Sequence, residues 1–381
     1  MRYVSINSVP NGSTGAVMRQ ITDERRALGD ECWMMWGRGR AASNEHECNY
    51  GSRPGLYLDV LQTRLDGRAG FHSKASTRRL LAKLDEVGPD VVHLHNVHGY
   101  HLNVEMLFGW LAAHEDVRVR WTLHDCWTFT GHCAHFDCVG CDRWRNGTCG
   151  DDCPQLSAYP KTFSRASCAW NYAHKREIFT RIPSERMTLA VPSHWLEGLL
   201  RESFLSAYPV EVRHNRVDAT IFRPTPSDFR ERFGIGSRCM ILGVASPWTE
   251  RKGLGDFVRL AHELDPTRYV IVLVGLNAKQ IKSLPATVIG LERVGSPLEL
   301  AKIYTAADVL INLTREDTFP TVNLEAEACG TPVITSDVGG CRETIARKDS
   351  SIVAVPLDAG DLMDALERVD LGIRHLSGGQ S

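Results

Sequence analysis

The sequence has 381 residues, enough for two or three domains that can each bury a full core. Its 43% hydrophobic and 24% charged content is typical of a soluble globular protein, and a net charge of −2 argues against a dedicated nucleic-acid binder. The N-terminus, MRYVSINSVP, has no apolar core of signal-peptide length, and no run approaches the roughly 18 apolar residues of a membrane span. We therefore expect a cytoplasmic protein whose twelve cysteines are thiols or metal ligands rather than disulfides.

Short apolar runs alternate with helical patterns along the chain, which predicts an α/β protein with parallel sheets. The clearest strands are Tyr3–Ile6, Val91–Leu94, Val119–Leu123, Met187–Val191, Met240–Val244, Tyr269–Val274, Val309–Leu313 and Val333–Thr335. A charged, proline-containing passage separates the first four strands from the last four. We predict an N-terminal domain 1–222, a linker 223–237 and a C-terminal domain 238–381, both doubly wound, with a cleft between the domains. Ligands of such sheets bind beyond the carboxyl ends of the strands.

The first predicted strand leads into a glycine-rich loop, NSVPNGSTGAV, which enters a helix. Gly12 and Gly15 would allow the backbone to approach a ligand closely. The spacing is not that of a dinucleotide fingerprint, so by itself the loop indicates only a turn.

A basic, partly amphipathic stretch extends from Arg64 to Lys83, and its apolar members are Leu65, Phe71, Leu80 and Leu81. Such a stretch either rests on anionic lipid headgroups as a peripheral membrane contact or forms a solvated helix face.

Four histidines fall within nine residues of the next strand end, at His93, His95, His98 and His101. The first two lie on the strand end and point the same way, and the other two lie beyond it. No carboxylate completes a metal-binding set, so we expect a polar rim that lines the cleft.

Another predicted strand ends in His124 and Asp125, and the carboxylate is suited to orient the histidine ring. A histidine–aspartate pair also suggests a nucleophilic triad. A hydrolase is disfavoured, however, because no Gly-x-Ser-x-Gly elbow occurs in the chain.

Five cysteines follow within 21 residues, in the turn-rich segment GHCAHFDCVGCDRWRNGTCGDDCP. They are Cys133, Cys138, Cys141, Cys149 and Cys153. Thiolates on short loops in a reducing compartment favour a tetrahedral structural zinc site with four ligands. The spacing leaves open which four bind, whether His132 or His135 replaces one, and whether the thiols stay free or form disulfides. A nucleic-acid-binding zinc ribbon is disfavoured because Arg143 and Arg145 are the few basic residues nearby.

In the second half, the segment GVASPWTERKG follows a strand, precedes a helix and places Arg251 and Lys252 at the carboxyl edge of the sheet. The next strand ends in Val274-Gly275-Leu276-Asn277.

The segment TREDTFPTVNLEAEACGTPVIT lies between two predicted strands and contains a short helix, begun by Pro320 and ended by Gly330. Free backbone N–H groups and the positive end of the helix dipole coincide at its start, and this arrangement binds phosphate. Asp317 lies in the loop, and Glu325 lies one turn inside the helix with its side chain directed back toward the N-terminus. The arrangement suits a phosphate-linked ligand that carries hydroxyls, such as a sugar nucleotide.

This segment resembles the signature of retaining glycosyltransferases of the GT-B fold, glycosyltransferase family 4. The usual form of the signature is Glu-Gly-Phe-Gly, four further residues and then Glu. Asp317 to Pro320 fill the first four positions and Glu325 is the second acid, so Asp replaces the first Glu and both glycines are absent. The alignment is fixed by Leu324–Ala326 and Gly330–Ile334.

Longer motifs look like the bacterial exopolysaccharide branch of that family, the colanic-acid and capsule-building type, and this match covers nearly the whole chain. The motifs are HLHNVHGYHLNVEMLFGWL, WTLHDCWTFTGHCAHFDCVGCDRW, CPQLSAYP and PSHWLEGLLRESFLSAYPV. The passage His214–Asp218, followed by Phe222 and Pro224, is similar to the branch's Asn-Gly-Ile-Asp passage near the hinge, with Arg216 in place of glycine.

The resemblance implies a GT-B fold, with two Rossmann-like domains facing across a cleft and a Cys-rich insertion, 126–154, in the N-terminal domain. It implies catalytic roles for His124 near the donor sugar, Asp317 at the sugar hydroxyls and Lys252 at the diphosphate. Pro247 stands where the family carries an arginine, and Arg251 is the candidate substitute. Donor contacts are implied for Gly12, Gly15, Arg251, Lys252, Asn277, Phe319, Thr321, Val322, Asn323 and Glu325. The implied zinc ligands are Cys133, Cys141, Cys149 and Cys153.

The expected activity is the retaining transfer of a hexose-type sugar from a UDP or GDP sugar to a lipid-linked or oligosaccharide acceptor in surface polysaccharide biosynthesis. No catalytic metal is expected, because Lys252, Arg251 and the N–H groups of Val322 and Asn323 can hold the charge of the departing phosphate. If the residues between Asp317 and Glu325 were all helical, these acids would be roughly 12 Å apart. Glycosidase carboxylates are only about 5 to 9.5 Å apart, so the two acids are not read as an acid–nucleophile pair. The alternatives are a GT-B nucleotide-sugar epimerase or synthase, or a non-catalytic assembly subunit.

Overall fold

The computed structural model describes residues 1–39, 41, 44–150, 152–348, 351–354, 362 and 364–368. The chain divides into two compact units, Met1–His214 and Asn215–Ser381, and each has its own parallel sheet. The predicted α/β fold with two doubly wound domains is therefore confirmed. The predicted domain limits at 222 and 238 stay a prediction. Residues 362 and 364–368 are helical, and residues 369–381 lie outside the described residues.

In the described part of the first unit, the sheet has seven parallel strands. They are β1 (Arg2–Asn7), β2 (Glu31–Trp36), β3 (Glu47–Asn49), β4 (Val91–Leu94), β5 (Arg118–Thr122), β6 (Met187–Val191) and β7 (Val210–Val212). The helices are α1 (Gly12–Ala27), α2 (Arg53–Asp66), α3 (Lys74–Val87), α4 (Val104–Ala113), α5 (Cys168–Phe179) and α6 (His194–Arg201). The strand order is β3-β2-β1-β4-β5-β6-β7, so the direction of winding reverses between β1 and β4.

The second unit repeats this plan with six parallel strands among its described residues. They are β8 (Cys239–Val244), β9 (Tyr269–Val274), β10 (Val288–Leu291), β11 (Val309–Asn312), β12 (Val333–Ser336) and β13 (Ile352–Ala354). The helices are α7 (Phe229–Arg232), α8 (Leu254–Glu263), α9 (Ala278–Lys282), α10 (Pro297–Ala306) and α11 (Thr321–Ala328). The order is β10-β9-β8-β11-β12-β13, and the winding reverses between β8 and β11.

Both faces of the second sheet are apolar, because consecutive strand residues point to opposite faces. Ile241, Ile271 and Ile311 belong to the core on one face, whereas Leu242 and Val272 belong to the core on the other. Strands buried on both faces read as continuous apolar runs, which explains why the sequence revealed them.

All eight predicted strands are present, within one residue at either end. The predicted linker 223–237 contains the short helix α7, whose Phe229 is buried in the core of the second unit. Among the described residues, no helix combines the length and the apolar character needed to cross a membrane.

Candidate functional site

In the second unit, the loops that follow β8 and β11 leave neighbouring central strands at the point where the winding reverses. This switch point is where open α/β sheets bind their ligands. Gly253 ends the first loop with φ +76°, and a Cβ there would lie 2.4 Å from the carbonyl oxygen of Leu313 at the start of the second loop. Only glycine therefore allows the two loops to pack this closely.

Lys252 and Asp317 meet across these two loops. The Nζ of Lys252 forms an ion pair with Oδ2 of Asp317, and the two side chains are 22% and 16% exposed. The backbone of Asp317 is fixed as well, because its carbonyl oxygen accepts a hydrogen bond from the amide of Gly340 at 3.0 Å. The neighbouring acid, Glu316, is buried at 2% exposure. The structure thus brings together the predicted phosphate-binding lysine and the predicted sugar-binding acid.

Arg251 ties the same two loops together by its backbone and by its side chain. Its Nη1 donates to the carbonyl oxygen of Glu316 at 2.8 Å, and its own carbonyl accepts from the amide of Arg315 at 2.8 Å. The guanidinium therefore positions the segment that carries Asp317.

The helix α11 begins at Thr321, and Pro320 occupies the extended cap position rather than the first turn predicted for it. The predicted donor contacts Thr321 and Val322 therefore lie in the first turn, where backbone N–H groups have no acceptor within the helix. The amide of Asn323 does have an acceptor, the carbonyl of Pro320 at 3.3 Å. Phe319 is buried, and its amide donates to Oδ1 of Asp317 at 3.3 Å.

The side chain of Asn323 is fully buried and points into the protein rather than toward the loops. Its Nδ2 donates to Oγ1 of Thr344 at 2.8 Å and to Oγ1 of Thr335 at 3.2 Å, and its Oδ1 accepts from Nδ2 of Asn312 at 3.0 Å. Asn323 therefore joins β11, β12 and α11 and fixes the helix at the sheet edge.

Glu325 lies one turn into α11 and is half-buried. The hydroxyl of the buried Tyr304 donates to its Oε2 at 2.8 Å. Burial raises the pKa of Glu325, while hydrogen bonds from Tyr304 and Thr321 oppose that rise. The carboxylate is therefore oriented by two hydroxyls at the start of the helix.

Asn277 has a local role that sequence reasoning did not predict. Its Oδ1 accepts from the amides of Lys279 and Gln280 at 3.0 and 2.9 Å, and Oε1 of Gln280 accepts in return from the amide of Asn277 at 3.0 Å. This is a capping box for α9, and it commits the side chain of Asn277 to the helix end.

In the first unit, the glycine-rich loop packs against itself at the end of β1. Gly12 has φ +78°, and a Cβ on Gly15 would lie 2.5 Å from the carbonyl carbon of Pro10. Gly15 thus permits close packing of α1 on its own loop. Asn7, which the sequence did not single out, accepts from the amides of Ser8 and Asn96 at 2.8 and 3.2 Å and so joins the ends of β1 and β4.

The four histidines 93, 95, 98 and 101 are buried in the first unit, and the expectation that they line a cleft stays a prediction. The rings of His93 and His95 stack at 4.4 Å, which confirms that they point the same way. Hydrogen bonds join His93 to Tyr3 at 2.6 Å and to Thr122 at 2.8 Å. Tyr50 bonds to His101 at 2.7 Å. The rings of His93 and His101 thus have hydroxyl partners within the first unit.

His124 stacks on His95, and Nε2 of His124 is 3.1 Å from Nδ1 of His95. Burial lowers the pKa of His124 to about 4, so its ring is neutral at physiological pH. Asp125, which the sequence suggested as the group that orients this ring, pairs with Nε2 of His98 at 2.9 Å. Burial opposes ionisation of Asp125, yet His98 lowers its pKa below the ordinary value.

The Cys-rich segment folds round a small cavity in the first unit. The four predicted zinc ligands, Cys133, Cys141, Cys149 and Cys153, all line it, whereas Cys138 is exposed elsewhere on the segment. Two buried residues from outside the segment's cysteine pattern approach the same region, namely Cys168 and Lys175 of α5. The sequence offered no signal for these two, because they follow the last predicted ligand by 15 residues or more.

Residues 238–369 match the family described as "Glycosyl transferases group 1". The matched segment is therefore similar to a group 1 glycosyltransferase domain, and the fold of the two units is that of GT-B proteins. The resemblance seen in the sequence is confirmed for this class of enzyme.

Among individual proteins, WcaC of Escherichia coli (strain K12), named as a colanic acid biosynthesis glycosyl transferase, is 27% identical over 288 residues. The alignment covers 70% of this chain, and the chain spans 64% of the length of WcaC. A sucrose-phosphate synthase from Thermosynechococcus elongatus has a similar solved structure, with a TM-score of 0.67 and 17% identity over 97% of this chain and 89% of that one. Anabaena HepE, solved in complex with UDP-glucose, has a TM-score of 0.60 and 14% identity over 100% of this chain and 91% of HepE.

Proposed function

We propose that the protein transfers a hexose-type sugar, with retention at the anomeric carbon, from a UDP or GDP sugar to a lipid-linked or oligosaccharide acceptor in surface polysaccharide biosynthesis. The observation that carries this proposal is the Lys252–Asp317 pair beside the first turn of α11 at the switch point of the second sheet. The complex of HepE with UDP-glucose supports the class of donor, and the name of WcaC supports the class of pathway.

The chemistry needs positive charge where the diphosphate leaves. As the glycosidic bond breaks, negative charge develops on the phosphate, and preorganised donors stabilise it most effectively. Lys252 supplies an ammonium group, and the first amides of α11, at Thr321 and Val322, supply N–H donors with the helix dipole behind them. In the proposed complex the diphosphate replaces Asp317 as the partner of Lys252. The carboxylate of Asp317 then accepts hydrogen bonds from the sugar hydroxyls.

Glu325 is proposed to bind the ribose hydroxyls. Tyr304 and Thr321 already hold its carboxylate at the start of α11, so a ribose meets a fixed acceptor. Asp317 and Glu325 have separate partners, the ammonium of Lys252 and the hydroxyl of Tyr304. We therefore assign the two carboxylates to different parts of the donor. Neither of them is the catalytic base in this proposal: the leaving phosphate accepts the proton of the acceptor hydroxyl during front-face attack.

His124 is proposed as the first unit's contact with the donor sugar. Because burial keeps its ring neutral, it would act as a hydrogen-bonding group and not as a cation. Its Nε2 shares one proton with Nδ1 of His95, since the two nitrogens lie 3.1 Å apart. The tautomer of His95 therefore sets which tautomer His124 presents.

Peripheral contact with a lipid surface is proposed for α2. Four large apolar side chains of this helix are 55–72% exposed, and Phe163 beside its C-terminus is 69% exposed. The four on α2 are Tyr57, Leu58, Leu61 and Leu65. Arg53 and Arg64 of the same helix, and Lys161 and Arg165 on either side of Phe163 in the chain, are exposed basic residues. Apolar side chains framed by cations suit an anionic membrane. By contrast, Phe71 and Leu80 of the stretch 64–83 are buried in the core, so that stretch is not itself an amphipathic membrane helix.

The test is a transfer assay with the full chain, UDP and GDP sugars, and a lipid-linked saccharide. We expect acceptor-dependent release of nucleoside diphosphate, a product of retained configuration by NMR, and a loss of roughly 100-fold or more in Lys252→Ala. Lys302→Ala is the control, because Lys302 is a surface lysine of α10 that pairs only with Glu299 in the described structure. Equal activity in Lys252→Ala and the control would refute this site, and donor turnover without any acceptor product would favour an epimerase or a synthase.

A further inference from the structure

An arginine without an acidic partner lies at the carboxyl edge of the first sheet. Arg38 follows β2 and is half-buried, and its backbone amide donates to the carbonyl oxygen of Ser8 at 3.0 Å. Among the described residues its guanidinium forms no ion pair, and its buried Nε has no hydrogen-bond acceptor. A partly desolvated cation without a counter-charge is costly, and a bound anion would relieve that cost. Arg38 therefore marks a place where the first unit can receive a negative group.

The guanidinium of Arg38 lies against a turn that follows β4. A Cβ on Gly99 would be 3.5 Å from Cζ and Nη2 of Arg38, and Gly99 has φ +114°. Tyr100 comes next with φ +65°, and in the described part of the chain only one other residue that is not glycine, Ser73, has a positive φ. Strained residues of this kind persist where their surroundings hold them, and they cluster at ligand-binding sites. The strained turn thus places Tyr100 directly after the residue on which Arg38 rests.

Tyr159 lies beside this turn and combines an exposed ring with an anchored hydroxyl. The residue is 41% exposed, and its hydroxyl is directed inward to Nδ1 of the buried His98 at 3.0 Å. His98 pairs in turn through Nε2 with Oδ2 of Asp125 at 2.9 Å. Tyr100 packs edge-on against the same ring, with the two centroids 5.8 Å apart and an interplanar angle of 84°. The ring of Tyr159 is therefore fixed at its hydroxyl and along one side.

Arg38 and the two tyrosines share one electrostatic environment. Burial raises the pKa of the hydroxyls of Tyr100 and Tyr159, and the charge of Arg38 opposes that rise in both. A cation beside fixed aromatic rings matches the chemistry of an acidic sugar. A pyranose ring presents a face of C–H groups that packs on an aromatic ring, and tyrosine offers a large contact area at a low cost in conformational entropy. A carboxylate or a phosphate accepts two parallel hydrogen bonds from a guanidinium.

We infer that Arg38, Tyr100 and Tyr159 bind the acceptor and that this acceptor is an anionic saccharide. The inference rests on the proposed sugar transfer. Arg38 binds the negative group, which is either the carboxylate of an acidic sugar or the phosphate that links the saccharide to a lipid. The ring of Tyr159 packs against the sugar next to that group. His98 and Asp125 are positioning residues, because they act only through the hydroxyl of Tyr159.

Isothermal titration of the full chain tests the site without requiring turnover. We expect octyl β-D-glucuronide to bind roughly tenfold more tightly than octyl β-D-glucoside, and the preference to shrink as salt is added. Arg38→Gln should abolish the preference. Arg118→Gln is the matched control and should keep it, because Arg118 is an exposed arginine at the amino end of β5.

Glucose linked to farnesyl diphosphate is the second anionic probe. Arg38-dependent binding of this probe without a preference for the glucuronide assigns the phosphate as the anion, and the reverse assigns the sugar carboxylate. Equal affinity for all three probes, no binding of any, or an unchanged preference in Arg38→Gln would overturn the inference. Should Arg38→Gln not fold, Arg38→Lys keeps the charge without the planar fork, and a full preference in that variant would be equally contrary.

Variants of Tyr159 separate this site from the donor site. We expect the KM for the acceptor to rise about threefold in Tyr159→Phe, which keeps the ring without its anchor, and roughly tenfold or more in Tyr159→Ala. The KM for the nucleotide sugar should stay the same in both. An unchanged acceptor KM in Tyr159→Ala refutes the role of the ring. If the wild type binds the glucuronide through Arg38 but transfers no sugar, the proposed transfer fails while the anion site stands, and the Tyr159 variants are then compared by titration.

Discussion

The Nζ of Lys252 and Oδ2 of Asp317 form an ion pair between loops that follow two adjacent central strands, β8 and β11. The lysine that would hold a leaving diphosphate is therefore already partnered by a carboxylate before any ligand arrives. If a diphosphate binds Lys252 as proposed, it has to compete with that carboxylate.

Replacing Asp317 by Asn should separate product binding from transfer. Without the carboxylate, Lys252 is fully available to phosphate, so affinity for a free nucleoside diphosphate should rise about two- to fivefold, as expected for a partly exposed pair. Transfer should fall by about 100-fold, because the sugar hydroxyls lose their acceptor. Isothermal titration and initial rates measure the two effects. Glu299→Gln, a surface acid paired with Lys302, is the control, and weaker diphosphate binding in Asp317→Asn would contradict this account.

Donor binding should depend on pH through Glu325. Burial raises the pKa of this carboxyl above the ordinary 4.5, so protonation begins at a higher pH than for an exposed glutamate. The carboxylate accepts hydrogen bonds from the ribose hydroxyls, and the neutral acid accepts them poorly. The affinity for the nucleoside diphosphate should therefore fall about tenfold as the pH drops through that pKa. Fluorescence titration of a nucleoside diphosphate across pH measures this effect. In Glu325→Gln the affinity should be low and flat with pH, and a retained pH dependence would assign the effect to another group.

Asn323→Ala should destabilise the second unit without touching a ligand directly. The substitution removes three buried hydrogen bonds, so Asn312, Thr335 and Thr344 each lose one polar partner. We expect the free energy of unfolding to fall by about 3 kcal/mol in urea denaturation. Asn277→Ala, which removes an exposed helix cap, should cost only about 1 kcal/mol. Equal costs for the two variants would show that the buried network contributes little.

Acid should destabilise the first unit through its buried histidines. Burial lowers the pKa of His101 to about 3 and that of His124 to about 4, from 6.5. Between those values and 6.5 the unfolded chain binds more protons than the folded one, so stability is lost as pH falls through this window. Each such histidine contributes up to about 1.4 kcal/mol per pH unit. Calorimetry should show a falling Tm below about pH 6.5, with a shallower slope in His101→Gln. A Tm that is constant over this range would contradict the linkage.

The exposed apolar face of α2 should bind anionic vesicles. Leu61→Ser combined with Leu65→Ser removes two exposed side chains, so we expect loss of sedimentation with phosphatidylglycerol vesicles and an unchanged Tm. Binding should be absent with phosphatidylcholine and should weaken with salt, since the contact depends on surface cations. Leu298→Ser, an exposed leucine of the second unit, is the control. The proposed contact would be refuted if the wild-type protein sedimented with neither kind of vesicle.

Sequence reasoning succeeded where a single local pattern is enough. The apolar runs located all eight named strands, and the turn signals located α11 between β11 and β12. The four cysteines that the resemblance singled out in one short segment line the same cavity in the structure. Sequence reasoning was less successful where a side chain has several eligible partners. The sequence did not indicate that Asp125 pairs with His98 or that the side chain of Asn323 joins a buried hydrogen-bond network.

The sequence by itself determined the alternation of strand and helix and the edge of each sheet where polar loops gather, because apolar runs must be buried and parallel strands end at the same edge. Only the tertiary structure decided that Lys252 reaches Asp317 and that Lys175 lies by the cysteines, 22 residues beyond Cys153. The physical reason is that these contacts join segments far apart in the chain. Their partners are set by strand order and helix packing, which no local pattern of residues specifies.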